Sequence, residues 1–107
     1  MGKLTTHVLD TASGNPARGV RIRLYHNDKL LADTITNRDG RCDEPLLTDA
    51  ASGDYQLLFS MGDYFRDNGV PSPFFNEIPI HFSIEGGRNY HVPLVCSPYS
   101  YSTYRGS

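Results

Sequence analysis

The chain reads as an all-β sandwich or barrel, and two features of the sequence predict it. Turn-forming clusters recur at short intervals: Ser13-Gly14-Asn15-Pro16, Asn27-Asp28, Asn37-Arg38-Asp39-Gly40, Ser52-Gly53-Asp54, Glu85-Gly86-Gly87 and Ser97-Pro98. Between them, apolar and polar residues alternate with the period of 2 that marks a strand. At 107 residues, the chain is near the usual domain size, and 1–107 is expected to form one domain. A chain of this length buries roughly 65% of its unfolded surface, enough for one modest core without metal or disulfide staples.

Seven or eight strands are expected, starting near Leu4, Val20, Lys29, Cys42, Tyr55, Ile78, Asn89 and Tyr101. The strand near Cys42 is short and weak. Val20, Ile22 and Leu24 face one side of their strand, with Arg21 and Arg23 on the other. Tyr55, Leu57 and Phe59 form the inward set of theirs. Ile78, Ile80, Phe82 and Ile84 share a face, and the chain ends with an aromatic, β-favouring stretch. One helix is expected, from about Asp63 to Asn68; Asn68-Gly69 would end it and Pro71 would prevent its return.

Two strands break the core-in, polar-out rule of an isolated sandwich. In the first, Leu4, Thr6 and Val8 face one way, and Thr5, His7 and Leu9 the other. In the strand from Asn89, Tyr90, Val92, Leu94 and Cys96 share a face, and His91, Pro93 and Val95 share its opposite. Each strand therefore has a second, partly apolar face that carries a histidine, which points to a second surface buried between subunits.

Composition excludes several classes of function. Hydrophobic residues make up 38% and charged residues 21%, against disorder. The net charge of −2 offers no basic field for nucleic acid or an anionic membrane. No apolar stretch approaches the roughly 20 residues of a membrane helix. The start, MGKLTTHVLD, lacks an apolar h-region, so no secretory signal and a cytoplasmic location are expected. Two cysteines, Cys42 and Cys96, read as free thiols in a reducing compartment.

Motifs narrow the chemistry further. There is no CxxC, HExxH, Gly-rich phosphate loop or GxSxG. Asp43-Glu44 lies in a polar loop, which argues against a paired-carboxylate glycosidase. Of the four histidines, His26 adjoins the Asn27-Asp28 turn and is expected to be solvated, and His81 lies on the outward face of its strand. His7 and His91 would meet if their strands meet. Two imidazoles fall short of the four ligands of a structural zinc site, so no metal is expected. After Glu85 no acidic side chain follows, whereas Arg88 and Arg105 do. The tail closes on Tyr104-Arg105-Gly106-Ser107: a rigid donor fork, a glycine that permits close backbone approach, and a terminal carboxylate able to orient an imidazole.

These residues carry a resemblance. Thr5-Thr6-His7-Val8-Leu9-Asp10, Asp39-Gly40-Arg41, Ile80-His81-Phe82, Tyr90-His91-Val92-Pro93-Leu94 and the closing Ser97-Pro98-Tyr99 through Tyr104-Arg105-Gly106-Ser107 strongly resemble the 5-hydroxyisourate hydrolases of the transthyretin-related family. The resemblance spans essentially the whole chain, and the Tyr-Arg-Gly-Ser ending is its specific signature. Hormone-carrying transthyretins share the Ser97–Thr103 pattern but lack the closing Arg-Gly-Ser and the two histidines.

The resemblance implies a transthyretin-like two-sheet sandwich with one short helix, assembled as a homotetramer with sites at the dimer–dimer interface. It implies a small-molecule substrate, 5-hydroxyisourate. Water would attack the six-membered-ring carbonyl and open the N1–C6 amide, giving 2-oxo-4-hydroxy-4-carboxy-5-ureidoimidazoline, a step in urate breakdown. In that scheme His7 or His91 is the general base, Arg41 and Arg105 hold carbonyl oxygens, and Tyr104 hydrogen-bonds or stacks on the ring. Gly106 lets backbone approach substrate, and the Ser107 carboxylate orients a histidine. No cofactor, nucleic acid or membrane enters. The alternative on the same fold is a carrier of small aromatic or hormone-like ligands, which would need apolar walls where this chain offers His7, Arg41, His91 and Arg105.

Overall fold

Alternation on both sides of each turn cluster folds into two facing sheets. The computed structural model describes residues 2–106. Among them, ten strand segments form: β1 (Leu4–Thr5), β2 (Val8–Asp10), β3 (Asn15–Pro16), β4 (Arg21–His26), β5 (Lys29–Ile35), β6 (Gly53–Phe59), β7 (Ile78–Ile84), β8 (Tyr90–His91), β9 (Leu94–Cys96) and β10 (Tyr101–Thr103). One helix, α1 (Met61–Asp67), lies between β6 and β7.

One sheet has the order β5-β4-β6-β7 and is antiparallel throughout. The other has the order β10-β9-β2-β3, with β1-β8 as a separate short ladder. β1 and β8 lie directly upstream of β2 and β9, and both pairs are parallel. Hydrogen bonds from Tyr90 N to Lys3 O (2.8 Å), Val92 N to Thr5 O (2.9 Å) and Leu94 N to His7 O (2.8 Å) run through the gap. The two ladders are thus one parallel seam, interrupted where Pro93 lacks a donor.

The core is assembled from the faces that the alternation assigns. Ile22, Leu24, Leu57, Phe59 and Ile78 of one sheet pack with Leu4, Val8, Leu94 and Cys96 of the other, all fully buried. Burying an aliphatic or aromatic side chain of this size contributes about 1.5–3 kcal/mol. Met61 and Phe65 close the end of the sandwich from α1. Tyr64, also on α1, donates to Asp10 Oδ2 at 2.8 Å. Asp10 Oδ1 meanwhile accepts from Ala12 N and Ser13 N, which fixes the turn after β2.

Three expectations need correction. No strand starts near Cys42 among the described residues: the chain meets the sheet only at the isolated pairs His7–Arg41 and Leu4–Leu47. Asp43, Glu44 and Pro45 are poor strand formers, and Pro45 has no donor. The helix begins at Met61, two residues before the expected Asp63. Gly62 hides that start in the sequence because its helix propensity is low. It is tolerated because a Cβ there would sit 2.7 Å from Phe75 O. Finally, the first strand and the strand from Asn89 each divide in two, and Asn15–Pro16 adds a short edge.

Candidate active site

The parallel seam brings the two odd-faced histidines to one side of the sandwich. His7 lies between β1 and β2, and its outer face is shared by Thr5 and Leu9; all three are half-buried, whereas Leu4, Thr6 and Val8 are buried. His91, on β8, is half-buried beside them. Because β1 and β8 run parallel with Thr5 opposite His91, the Thr5 hydroxyl reaches His91 Nδ1 at 2.9 Å.

Arg41 is delivered by a turn that the sequence spells out. Asn37 Oδ1 accepts from Asp39 N (2.9 Å) and Arg41 N (3.2 Å), the self-capping expected of an Asx residue. Gly40 follows with φ +73°. A Cβ at this position would lie 2.5 Å from Val8 O and 3.2 Å from His7 Cδ2. Glycine is thus what lets the loop dock, with Val8 N donating to Gly40 O at 2.8 Å and Arg41 set opposite His7 in an antiparallel bridge.

The C-terminal tail supplies the third wall. β10 pairs with β9, and Thr103 Oγ1 donates to Pro93 O at 2.7 Å. Beyond it, Gly106 N donates to His91 O at 2.6 Å. A Cβ on Gly106 would come within 2.7 Å of His91 Cδ2, so glycine permits the tail to lie against the imidazole. The Arg105 guanidinium sits 4.4 Å above the Tyr90 ring and donates to Asn89 O at 3.2 Å.

The result is a groove of about 530 Å³ whose lining includes His91, Arg105, Gly106, Thr5 and Lys3. A small hollow of about 130 Å³ reaches Arg41 and shares Thr5 with it. No acidic side chain lines the larger groove among the described residues. His7 and His91 are both held below the ordinary imidazole value. Burial is the main cause for each, and the Arg41 guanidinium is the second; His7 adds to the effect on His91. The carbonyl oxygen of Asp39 and its carboxylate partly offset this at His7. Burial and the Arg41 guanidinium thus both favour the neutral imidazoles, the state that can accept a proton.

The expected site residues do not all converge. His91, Arg105 and Gly106 line the groove and Arg41 its side hollow, while His7 lines neither and is placed by its bridge to Arg41. Tyr104 is 60% exposed and lines a separate apolar hollow that shares Arg105 and Tyr90 with the groove. Ser107 lies outside the described residues. His81 is exposed, as its outward position predicts. His26 is not simply solvated: it is half-buried, stacks on Tyr55 with ring centroids 4.2 Å apart, and contacts Asp54 O at 2.8 Å. Sequence reasoning missed Thr5, which shares the outer face of His7 two residues away, and Tyr90, the platform for Arg105. The i, i+2 spacing of Thr5 and His7 is the signal that could have found the former.

Two half-buried histidines with Arg41 and Arg105 nearby, on the outer seam of a two-sheet sandwich, define a titratable site rather than a purely apolar ligand channel. The chain belongs to the HIUase/Transthyretin family, whose model matches residues 4–106. It is 51% identical to a 5-hydroxyisourate hydrolase of Pseudomonas aeruginosa, over 100% of this chain and 93% of that one. It superposes on the 5-hydroxyisourate hydrolase of Klebsiella pneumoniae with a TM-score of 0.91 at 36% identity, covering all of both chains. An (S)-allantoin synthase structure matches with a TM-score of 0.92 at 41% identity; there this chain covers 44% of the longer partner.

Proposed function

We propose that this protein hydrolyses 5-hydroxyisourate to 2-oxo-4-hydroxy-4-carboxy-5-ureidoimidazoline, opening the N1–C6 amide. The observation that carries the reading is the gathering of His91, Arg105 and Gly106 on one groove, with Arg41 in its side hollow and bridged to His7. It is supported by relatives named for that reaction over their full lengths.

Each residue then has a task. A neutral imidazole, His7 or His91, removes the proton from the attacking water. As water adds to the ring carbonyl, negative charge grows on its oxygen, and Arg41 or Arg105 meets it with fixed donors. Arg105 is preorganised for this by Tyr90 beneath it and Asn89 O beside it. Gly106 brings the tail backbone to the groove, and Tyr104, from the adjoining hollow, offers a ring face or hydroxyl to the flat bicycle. Collapse of the tetrahedral intermediate expels the ring nitrogen, which takes the proton back from the imidazolium. The scheme uses no metal or organic cofactor.

The test is the ultraviolet absorbance decay of freshly made 5-hydroxyisourate, with and without protein; because the substrate also decays unaided, acceleration is the readout. Acceleration that tracks protein concentration is expected, and none would remove the reading. Across pH the sign is fixed by the imidazoles. Burial and Arg41 place both below the ordinary histidine value of about 6.5. The acid limb of kcat/KM is therefore expected to lie below that value. An acid limb centred above pH ~7 would contradict it.

The half-buried outer face of the seam supports a homotetramer with the groove at the interface between dimers. Leu9 and Val95 lie on the same outer face as the histidines and stay only half-buried within one chain. Sedimentation is expected to give a tetramer at micromolar protein, and a monomer would refute the shared groove. A cytoplasmic setting suits the two cysteines, both unbridged. No helix is long and apolar enough to cross a membrane among the described residues.

A further inference from the structure

Thr5 and Thr6 are adjacent threonines that face opposite ways, and both spend their hydroxyls on the same neighbouring segment. Thr6, buried in the core, donates from Oγ1 to Val92 O at 2.7 Å. Thr5, on the groove side, has its Oγ1 2.9 Å from His91 Nδ1. The first bond ties backbone; the second touches only a ring nitrogen. A hydroxyl that merely stabilised the seam would have no need to reach an imidazole. With Nδ1 engaged and Gly106 packed on the Cδ2 edge, the ring is held on two sides, and Nε2 has no hydrogen-bond partner among the described residues.

From this geometry we infer that Thr5 is a positioning residue for His91: it accepts the Nδ1 proton, fixes the ring, and leaves Nε2 as the basic nitrogen toward the groove. The inference rests on the hydrolase reading of this groove. A base needs its reactive nitrogen unprotonated, so the proton of the neutral ring must sit on Nδ1, and Thr5 is the group placed to take that bond. The chemistry of the partner matters. A carboxylate in this position would strongly raise the affinity of the ring for a proton, whereas a neutral hydroxyl orients it with a much smaller pull. Arg41 and His7 press the ring the same way, toward neutrality. Lys3 and Arg105 line the same groove, and Glu44 shares the side hollow with Thr5 and Arg41.

The test compares Thr5→Val, which keeps the β-branched shape and removes the hydroxyl, with Thr5→Ser, which keeps the hydroxyl. Imidazole nitrogen NMR on the wild-type protein, without substrate, is expected to show His91 protonated at Nδ1 in its neutral form. Thr5→Val is expected to lose that single tautomer, lower kcat about tenfold with KM changed less than about twofold, and move the acid limb of kcat to lower pH because the imidazolium loses an acceptor. Thr5→Ser is expected to restore all three. A wild-type His91 protonated at Nε2 would overturn the inference, as would a Thr5→Val protein with unchanged tautomer and kcat. Failure of the wild-type protein to act on 5-hydroxyisourate would instead strike the hydrolase reading, because the nitrogen spectrum is read without substrate.

Discussion

Replacing either His7 or His91 by alanine is expected to lower kcat/KM by more than about tenfold, and loss of the residue that serves as base by about 10²–10⁴. The two rings share one environment: burial first and the Arg41 guanidinium second lower the proton affinity of each, and His7 adds to the effect on His91. Groups that act as one unit do not contribute additively. The double variant is therefore expected to be little worse than the poorer single one. Steady-state turnover of fresh 5-hydroxyisourate by the three variants, each checked for far-ultraviolet circular dichroism, measures this. Two single variants with wild-type kcat/KM would remove both histidines from the chemistry and leave Arg41 and Arg105 as its core.

Removing Arg105, Gly106 and Ser107 is expected to cost about 10² or more in kcat, because it takes away a fixed donor for the developing oxyanion. The fold should survive. β10 ends at Thr103, and its pairing with β9 and the Thr103–Pro93 bond are left in place. What is lost is Arg105 above Tyr90 and the Gly106–His91 hydrogen bond. A thermal midpoint near that of the full chain, with turnover abolished, is the expected pair of results. Turnover close to the full chain's would place the reaction away from the tail. The single substitution Gly106→Ala tests the same wall without shortening the chain, since its methyl would collide with His91 Cδ2.

Much of this architecture was legible in the residues because burial imposes period 2 wherever one face meets a core. Ile22 and Leu24, Leu57 and Phe59, and Leu4 and Val8 all lie where alternation puts them. The unusual outer face of the Leu4 and Asn89 strands was legible for the same reason: Thr5, His7, Leu9 and His91 are half-buried in a single chain. Other features depend on partners remote in sequence, and no local pattern carries them. The Met61 start of the helix depends on the fit of Gly62 against Phe75. The packing of His26 depends on Tyr55, which pairs with it across two strands. The bond from Thr5 to His91 spans 86 residues and follows from parallel register, which the sequence does not announce.

That same seam makes turnover a gauge of how this chain folds. The β4–β5 hairpin closes over the two residues Asn27 and Asp28, both in the left-handed region at φ 51° and 62°, and can form early. The seam must instead join residues 86 apart, Thr5 and His91, and loops of that size close slowly. His7, Arg41 and Arg105 emerge in that order during synthesis. During refolding, strand signal should accordingly return ahead of catalysis, and the lag between the two measures the closing of the seam.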